Sequence, residues 1–308
     1  PIRLSRDGEY LFTGKVTSYR QQYVLGGLTQ YTVAAADDIY TLAQAELPLT
    51  STSVETSAAR LSAVLALVPY TGTTSITGTP TATLGAFDIT QDTNANAYVN
   101  RINQAEQGRI FVSRAGVLTF QPRIGSTLEA VTVTFNDTGT GTKYDNLGVE
   151  FDQQAITNSA TVTLESGGTA QTSSDAASIA EYFKQSLSIN DSLLSSNAQA
   201  LTLSDYLLDP KPEPRFTSMS STFAALTDPQ KTALAIMEIG GSCTLLKTFP
   251  NGTPIAVTQA LAIEGIDHEI NVASGHRVTL YTSQTVVLNA FVLDDITYGV
   301  LDDLNALT

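Results

Sequence analysis

The sequence predicts an α+β fold that is mainly β, on three observations. Helix-like stretches are a minority of the 308 residues. Most of the chain consists of short Thr- and Val-rich segments broken by Gly, Asn and Ser, the pattern of half-buried strands between turns. The last stretch, "AFVLDDITYGVLDDLNALT", repeats "VLDD" once at an offset of eight. Two copies are too few for a solenoid, so this stretch reads as an extended C-terminal arm. At 42% hydrophobic and 15% charged residues the chain can bury substantial cores, and its length suggests two or three domains.

Taken in order, residues 11–19 and 29–35 alternate as two strands, and "ADD" then opens a short helix carrying Ile39 and Leu42. Asp37 or Asp38 is its N-cap, because a carboxylate there accepts free N–H groups of the first turn. Pro48 breaks the chain. Thr56 or Ser57 caps a helix to about residue 67, with Leu61, Val64, Leu65 and Val68 at helical spacing and Val68-Pro69 ending it. "TGTTSITGTPTATLG" reads as a loop or weak strand. A helix follows over about 94–107, with Gly108 placed as its left-handed cap, and then a hairpin around "SRAG".

Strands are expected over 131–135, 147–151 and in "SATVTLESGGTAQT". "SSDAASIAEYFKQSL" reads as a capped helix with Ile179, Tyr182 and Phe183 on its apolar face. "DSLLSSNAQALTLSDYLLD" is expected to be helical up to "PKPEP", and "RFTSMSSTF" to be a strand. "TDPQKTALAIMEIGG" carries helix start signals at Asp228 and Pro229 and a glycine stop. Strands are expected over 243–249, 255–270 with a bend near Gly265, and 278–282.

Chemistry-bearing patterns are few. The net charge of −14 argues against a surface built to grip nucleic acid, which needs clustered Lys and Arg. It is compatible with DNA passing nearby, since an acidic wall repels a polyanion. The single cysteine, Cys243, excludes an internal disulfide and lies in an apolar run, where a buried inert thiol is expected. No apolar run approaches the roughly 18 to 20 residues of a spanning helix, and no signal peptide is visible. His268 and His276 are expected on opposite sides of a turn in a β-hairpin, where they could share a site with Asp267 or Glu269. Asp37/Asp38, Asp294/Asp295 and Asp302/Asp303 are paired carboxylates, the last two pairs read as parts of a solvent-facing arm. "DTGTGTKYDN" has the wrong spacing for a phosphate loop. No G-x-S-x-G, dinucleotide or calcium-loop pattern is present. No catalytic, cofactor or metal residue is therefore assigned, and the chain is not expected to be an enzyme.

The order of parts carries a resemblance. "PIRLSRDGEYLFTGKVTSYRQQY…YTVAAADDIYTLAQ" is similar to the opening of the hub, or minor tail protein, of long-tailed bacteriophages, at Leu11, Phe12, Gly14, Val16, Ala36 and Asp38. The likeness continues through "TSAARLSAVLALV" and through Glu106, Gly108, Ile110, Phe111, Gly116, Leu118, Phe120 and Arg123. It extends to "DAASIAEYFKQSLSI", "GIDHEINVASGHRVTLYTS" and "FVLDDITYGVLD", nearly the whole chain. Phe183 departs from it, standing where the pattern has a glycine, and the segment ahead of the N-terminal barrel is missing or cut away.

The resemblance implies two small β-barrels, each interrupted by an α/β insertion. It divides the chain into first barrel strands (1–48), an α/β insertion (49–125), a second hub barrel (126–188), a helical or α+β insertion (189–240), returning barrel strands (241–285) and the arm (286–308). It implies a homotrimer whose six similar barrels join a tail tube to tip proteins around a DNA exit channel. Other tail proteins would be its partners: the tube-tip ring, the tape measure, and tip or fibre proteins. Viral DNA would pass without specific binding, and the host envelope would be met indirectly. The place would be the virion tail tip, after assembly in the host cytoplasm. Two alternatives stay open: a tail protein that binds cell-wall glycan, and a tail-associated cell-wall hydrolase.

Overall fold

The computed structural model describes residues 1–123, 133–150, 152, 155–165, 167–211, 215–249 and 256–284, and the backbone of 289–290 and 305–306. The C-terminal arm, with Asp294/Asp295 and Asp302/Asp303, lies outside the described residues. Ser166 of the "SGG" connection does so too.

The chain opens on β1 (Ile2–Arg6), which joins β2 (Glu9–Gln22) through Asp7 and Gly8. Both turn residues have positive φ, 51° and 91°, the geometry that Asp-Gly adopts in a two-residue hairpin. β3 (Gln30–Ala36) completes an antiparallel sheet in the order β1-β2-β3. Asp37 then caps α1 (Asp38–Gln44), its carboxylate accepting from the Ile39 N–H at 3.0 Å.

Short strands β4 (Glu46–Leu47) and β5 (Glu55–Thr56) lead to α2 (Ser57–Leu67), capped by Thr56 and ended by extended Val68 before Pro69. β6 (Thr73–Ile76), β7 (Thr83–Leu84) and β8 (Thr93–Asn94) follow, then α3 (Ala95–Glu106) capped by Asn94. The hairpin of β9 (Arg109–Val112) and β10 (Val117–Gln121) turns through Gly116, and β6 adds to it in parallel. The left-handed cap of α3 falls on Gln107, φ 56°, and not on Gly108. Gly108 is needed for another reason: a Cβ there would collide with the Gln121 carbonyl oxygen.

The second half contains β11 (Val133–Asn136), β12 (Asn146–Glu150), β13 (Ser159–Leu164), β14 (Gln171–Ser174), α4 (Ala176–Tyr182) and β15 (Ser186–Ser192). After these come α5 (Asn197–Tyr206), β16 (Arg215–Thr222), a single helical turn at 223–225 and α6 (Asp228–Ala235). The chain continues into β17 (Ser242–Thr248), β18 (Ala256–Asn271) and β19 (Gly275–Gln284). The expected bend in β18 is a register shift between Ile263 and Gly265. Three expectations are corrected. The helix expected from residue 191 starts only after Ser196, because 191–192 finish β15. α6 stops at Ala235, before the two glycines. Phe183 does not join an apolar face: it is 81% exposed and held at φ 60°, ψ 169°, so its ring points away from the core.

β11-β17-β18-β19-β16-β12 form a six-stranded sheet, and β14-β13-β15 a three-stranded one. The expected barrels are not seen closed: every sheet among the described residues is open. Two cores hold the molecule. One gathers Leu61, Val64, Tyr98, Ile102 and Phe120 with Val162, Leu193 and Leu203. The other lies on the six-stranded sheet, from Phe135, Met219, Phe223, Leu245, Leu261 and Val278, with Leu11 of β2 reaching into it. Each such buried side chain contributes roughly 1.5–3 kcal/mol.

Candidate functional site

The β18–β19 hairpin brings the two histidines together, as the sequence predicts. Ile270 pairs with His276 and His268 with Val278, so the rings are diagonal neighbours on one face. His268 Nδ1 lies 3.0 Å from His276 Nε2. The site does not include Asp267 or Glu269. Strand alternation sends these two carboxylates to the opposite face, where both are exposed. The actual neighbours come from far along the chain. Phe223 stacks on His276, centroids 3.9 Å apart and planes 13° off parallel. Arg6 lies over Phe223, its guanidinium carbon 4.5 Å from the ring centroid, and places Nη1 2.8 Å from His276 Nδ1.

This arrangement disfavours a metal. A neutral imidazole bound to a cation through Nε2 carries its proton on Nδ1. That proton would point at the Arg6 donor. No group of three or more His, Cys, Asp or Glu side chains suited to a metal occurs among the described residues. Burial, followed by His268 and Arg6, pushes the His276 imidazole down to about 4; burial also lowers His268.

The other singled-out residues serve the fold. Asp38 accepts from Lys15 Nζ at 2.7 Å and from the Tyr70 hydroxyl at 3.0 Å. Cys243 is fully buried in β17, and desolvation raises its thiol to about 12. In the "DTGTGTKYDN" loop, Asp137 accepts from Lys247 Nζ and the Thr248 N–H, which brings its carboxyl down to about 2. Glu106, fully buried at the end of α3, accepts from the Ser57 hydroxyl at 2.6 Å and from the N–H groups of Thr81 and Ala82, both at 2.9 Å. Arg60, also buried, binds Glu55, the Tyr98 hydroxyl and the carbonyls of Ser53 and Gly85. Sequence reasoning missed Arg60, whose only signal is a cation on the apolar side of α2.

What remains is a surface. Past Gly14 the β2–β3 hairpin carries exposed Val16, Tyr19, Tyr23, Val24, Leu25, Leu28, Tyr31 and Val33. Among the described residues, β1 and β3 each pair on one side only. Residues 10–36 hold Lys15 and Arg20 and no carboxylate, in a chain of net charge −14. An apolar, mildly cationic sheet of this kind is the usual mark of a protein contact.

No family model and no curated protein matches the sequence. Solved structures share its fold. A tail protein from Neisseria meningitidis MC58 superposes with a TM-score of 0.65 at 12% identity, over 91% of this chain and 82% of that one. The 43 kDa tail protein of prophage MuSo2 from Shewanella oneidensis gives 0.62 at 12%, over 92% and 80%. The prophage tail protein gp18 from Listeria monocytogenes EGD-e gives 0.54 at 11%, over 91% and 79%. The chain thus has the fold of phage tail proteins.

Proposed function

We propose that this chain is a structural, non-enzymatic component of a phage-type tail, a hub at the tail tip. Three copies form a ring that joins the tail tube to the tip and frames the channel for DNA. The observation that carries this reading is the N-terminal sheet, whose free edges and exposed apolar hairpin need a covering neighbour. The shared fold supports a tail as the setting in which such a neighbour is found. Each copy contributes two β-modules, one built on the N-terminal sheet β1-β2-β3 and one on the six-stranded sheet, and the ring presents six of them. The division of the chain at 48, 125, 188, 240 and 285 follows that scheme. The hairpin's Arg20 and apolar side chains lie against an acidic neighbouring copy, and the remaining acidic surface lines a lumen to which DNA does not adhere. The other contacts are with tube-tip, tape-measure and tip or fibre proteins.

Imaging of the intact particle tests this. The expected result is three copies at the tail tip with the hairpin covered by protein. A chain found in the capsid, or a tail lacking it, overturns the reading. So does a clearing zone on cell-wall substrate that is lost on His276→Gln substitution, since that would make the histidine pair catalytic.

A further inference from the structure

The Arg6–His276–His268 chain admits only one arrangement of protons. A guanidinium only donates, so His276 Nδ1, 2.8 Å from Arg6 Nη1, is bare. Neutral His276 then carries its proton on Nε2 and donates to His268 Nδ1 at 3.0 Å, which leaves His268 protonated on Nε2. A further proton has no accommodating place. On His276 it would sit on Nδ1, facing an Arg6 N–H and a second positive charge. On His268 it would sit on Nδ1, facing the His276 N–H.

The chain joins distant parts of the molecule. Arg6 ends β1, Phe223 follows β16, and the histidines lie on β18 and β19. His276 is 6% exposed, so no water shell relieves the conflict. We propose that this chain is an acid-released latch: neutral, it clamps β1 and the N-terminal sheet to the six-stranded sheet, and protonated, it lets β1 go.

The surrounding charges leave the response to the imidazoles. From the β1–β2 turn, Asp7 lies 3.4 Å from Arg6 Nε and is exposed. From α6, Asp228 is paired with Lys231 at 2.8 Å and has its carboxyl lowered by Lys231 first and Arg6 last. From β18, Asp267 partly offsets the lowering of His268. From β19, Arg277 donates to the Ser220 hydroxyl at 2.8 Å. The short helical turn contributes only the Phe223 ring. The sign follows from the direction of the shifts. Both histidines have depressed values in the closed state, so the latch is at full strength above the ordinary value near 6.5 and is lost as pH falls toward about 4. Between pH 6.5 and 4.5 the opening equilibrium rises about fortyfold through His276 alone.

The test uses the full chain labelled with ¹⁵N-histidine. At pH 7.5 ring-nitrogen spectra are expected to show bare Nδ1 and protonated Nε2 on both histidines. Between pH 6.5 and 4.5, amide protection across 2–6, corrected for intrinsic exchange, is expected to fall about fortyfold while 242–248 stays protected. His276→Gln, whose amide oxygen still accepts from Arg6 but takes up no proton, is expected to lose most of that fall. Rings that titrate near 6.5 with no change at 2–6 overturn the latch, as does a fall of equal size in His276→Gln. Should that variant not fold, Arg6→Met serves. It is expected to leave 2–6 poorly protected already at pH 7.5, and wild-type protection there would overturn the proposal.

Discussion

The N-terminal sheet and the six-stranded sheet are written in similar residues yet meet opposite fates. β3 reads "QYTVAAA" and β17 reads "SCTLLKT", both short, Thr-containing and suited to a pleated surface. β17 lies in the interior of its sheet, between β11 and β18, and buries Cys243 and Leu245 completely. β3 is an edge strand whose first five residues are all exposed. Propensity selects the strand, but only a covering layer turns it into core. In the six-stranded sheet that layer comes from α6 and the 223–225 turn. In the N-terminal sheet the described residues supply it near Arg6 and Leu11, while the hairpin past Gly14 keeps its apolar side chains exposed. The difference marks the far part of the N-terminal sheet as the strand surface that the described residues leave uncovered.

The largest effect that would sharpen the contrast is truncation in the covered sheet. Phe135→Ala is expected to cost about 3–5 kcal/mol, read by urea denaturation, because its 1%-exposed ring leaves a cavity. Glu106→Ala should fall in a similar range, about 3–5 kcal/mol, since it strands two buried N–H groups and a hydroxyl, each costing roughly 1–3 kcal/mol. Phe183→Gly is expected to stabilise by about 1 kcal/mol. The ring is exposed, and its backbone sits in a region open essentially to glycine alone, which costs about 1–3 kcal/mol and is offset in part by the entropy of an added glycine. Leu25→Ser with Leu28→Ser is expected to leave folding stability within about 0.5 kcal/mol while lowering self-association in sedimentation. A large loss of stability would mean that the hairpin has a core after all and would break the comparison. The smallest effect belongs to Asp137. Its lowered carboxyl contributes above the ordinary value near 3.8 and loses that contribution as pH falls toward 2. Wild type and Asp137→Asn should therefore converge in stability below about pH 2 and separate above 4.

Local features were legible in the sequence and distant ones were not. Asp37, Thr56, Asn94 and Asp175 cap helices as short-range chemistry dictates, each accepting from an N–H two or three residues on. The histidine hairpin was readable because its turn is local. β1 was missed although "RDGE" carried an Asp-Gly hairpin signal, since five residues of alternating pattern are too few to stand out. Gly108 was misassigned because a glycine at a helix end looks like a cap, while its real constraint is the carbonyl of Gln121 across the hairpin. The parallel pairings β6–β10, β11–β17 and β13–β15 leave no local trace. Nor does Arg6 reaching His276 across 270 residues of chain, so the partners of the histidine pair came only from the fold.

Cys243 has a practical corollary. As the sole thiol, sealed inside β17 and held almost entirely in its unreactive protonated form at neutral pH, it leaves the molecule silent toward maleimide reagents. A cysteine engineered at position 25 or 28 would take up dye or spin label at one place, with the native background already dark. Distances between copies in the proposed ring are thus within reach of spectroscopy without first stripping the protein of its own sulfur.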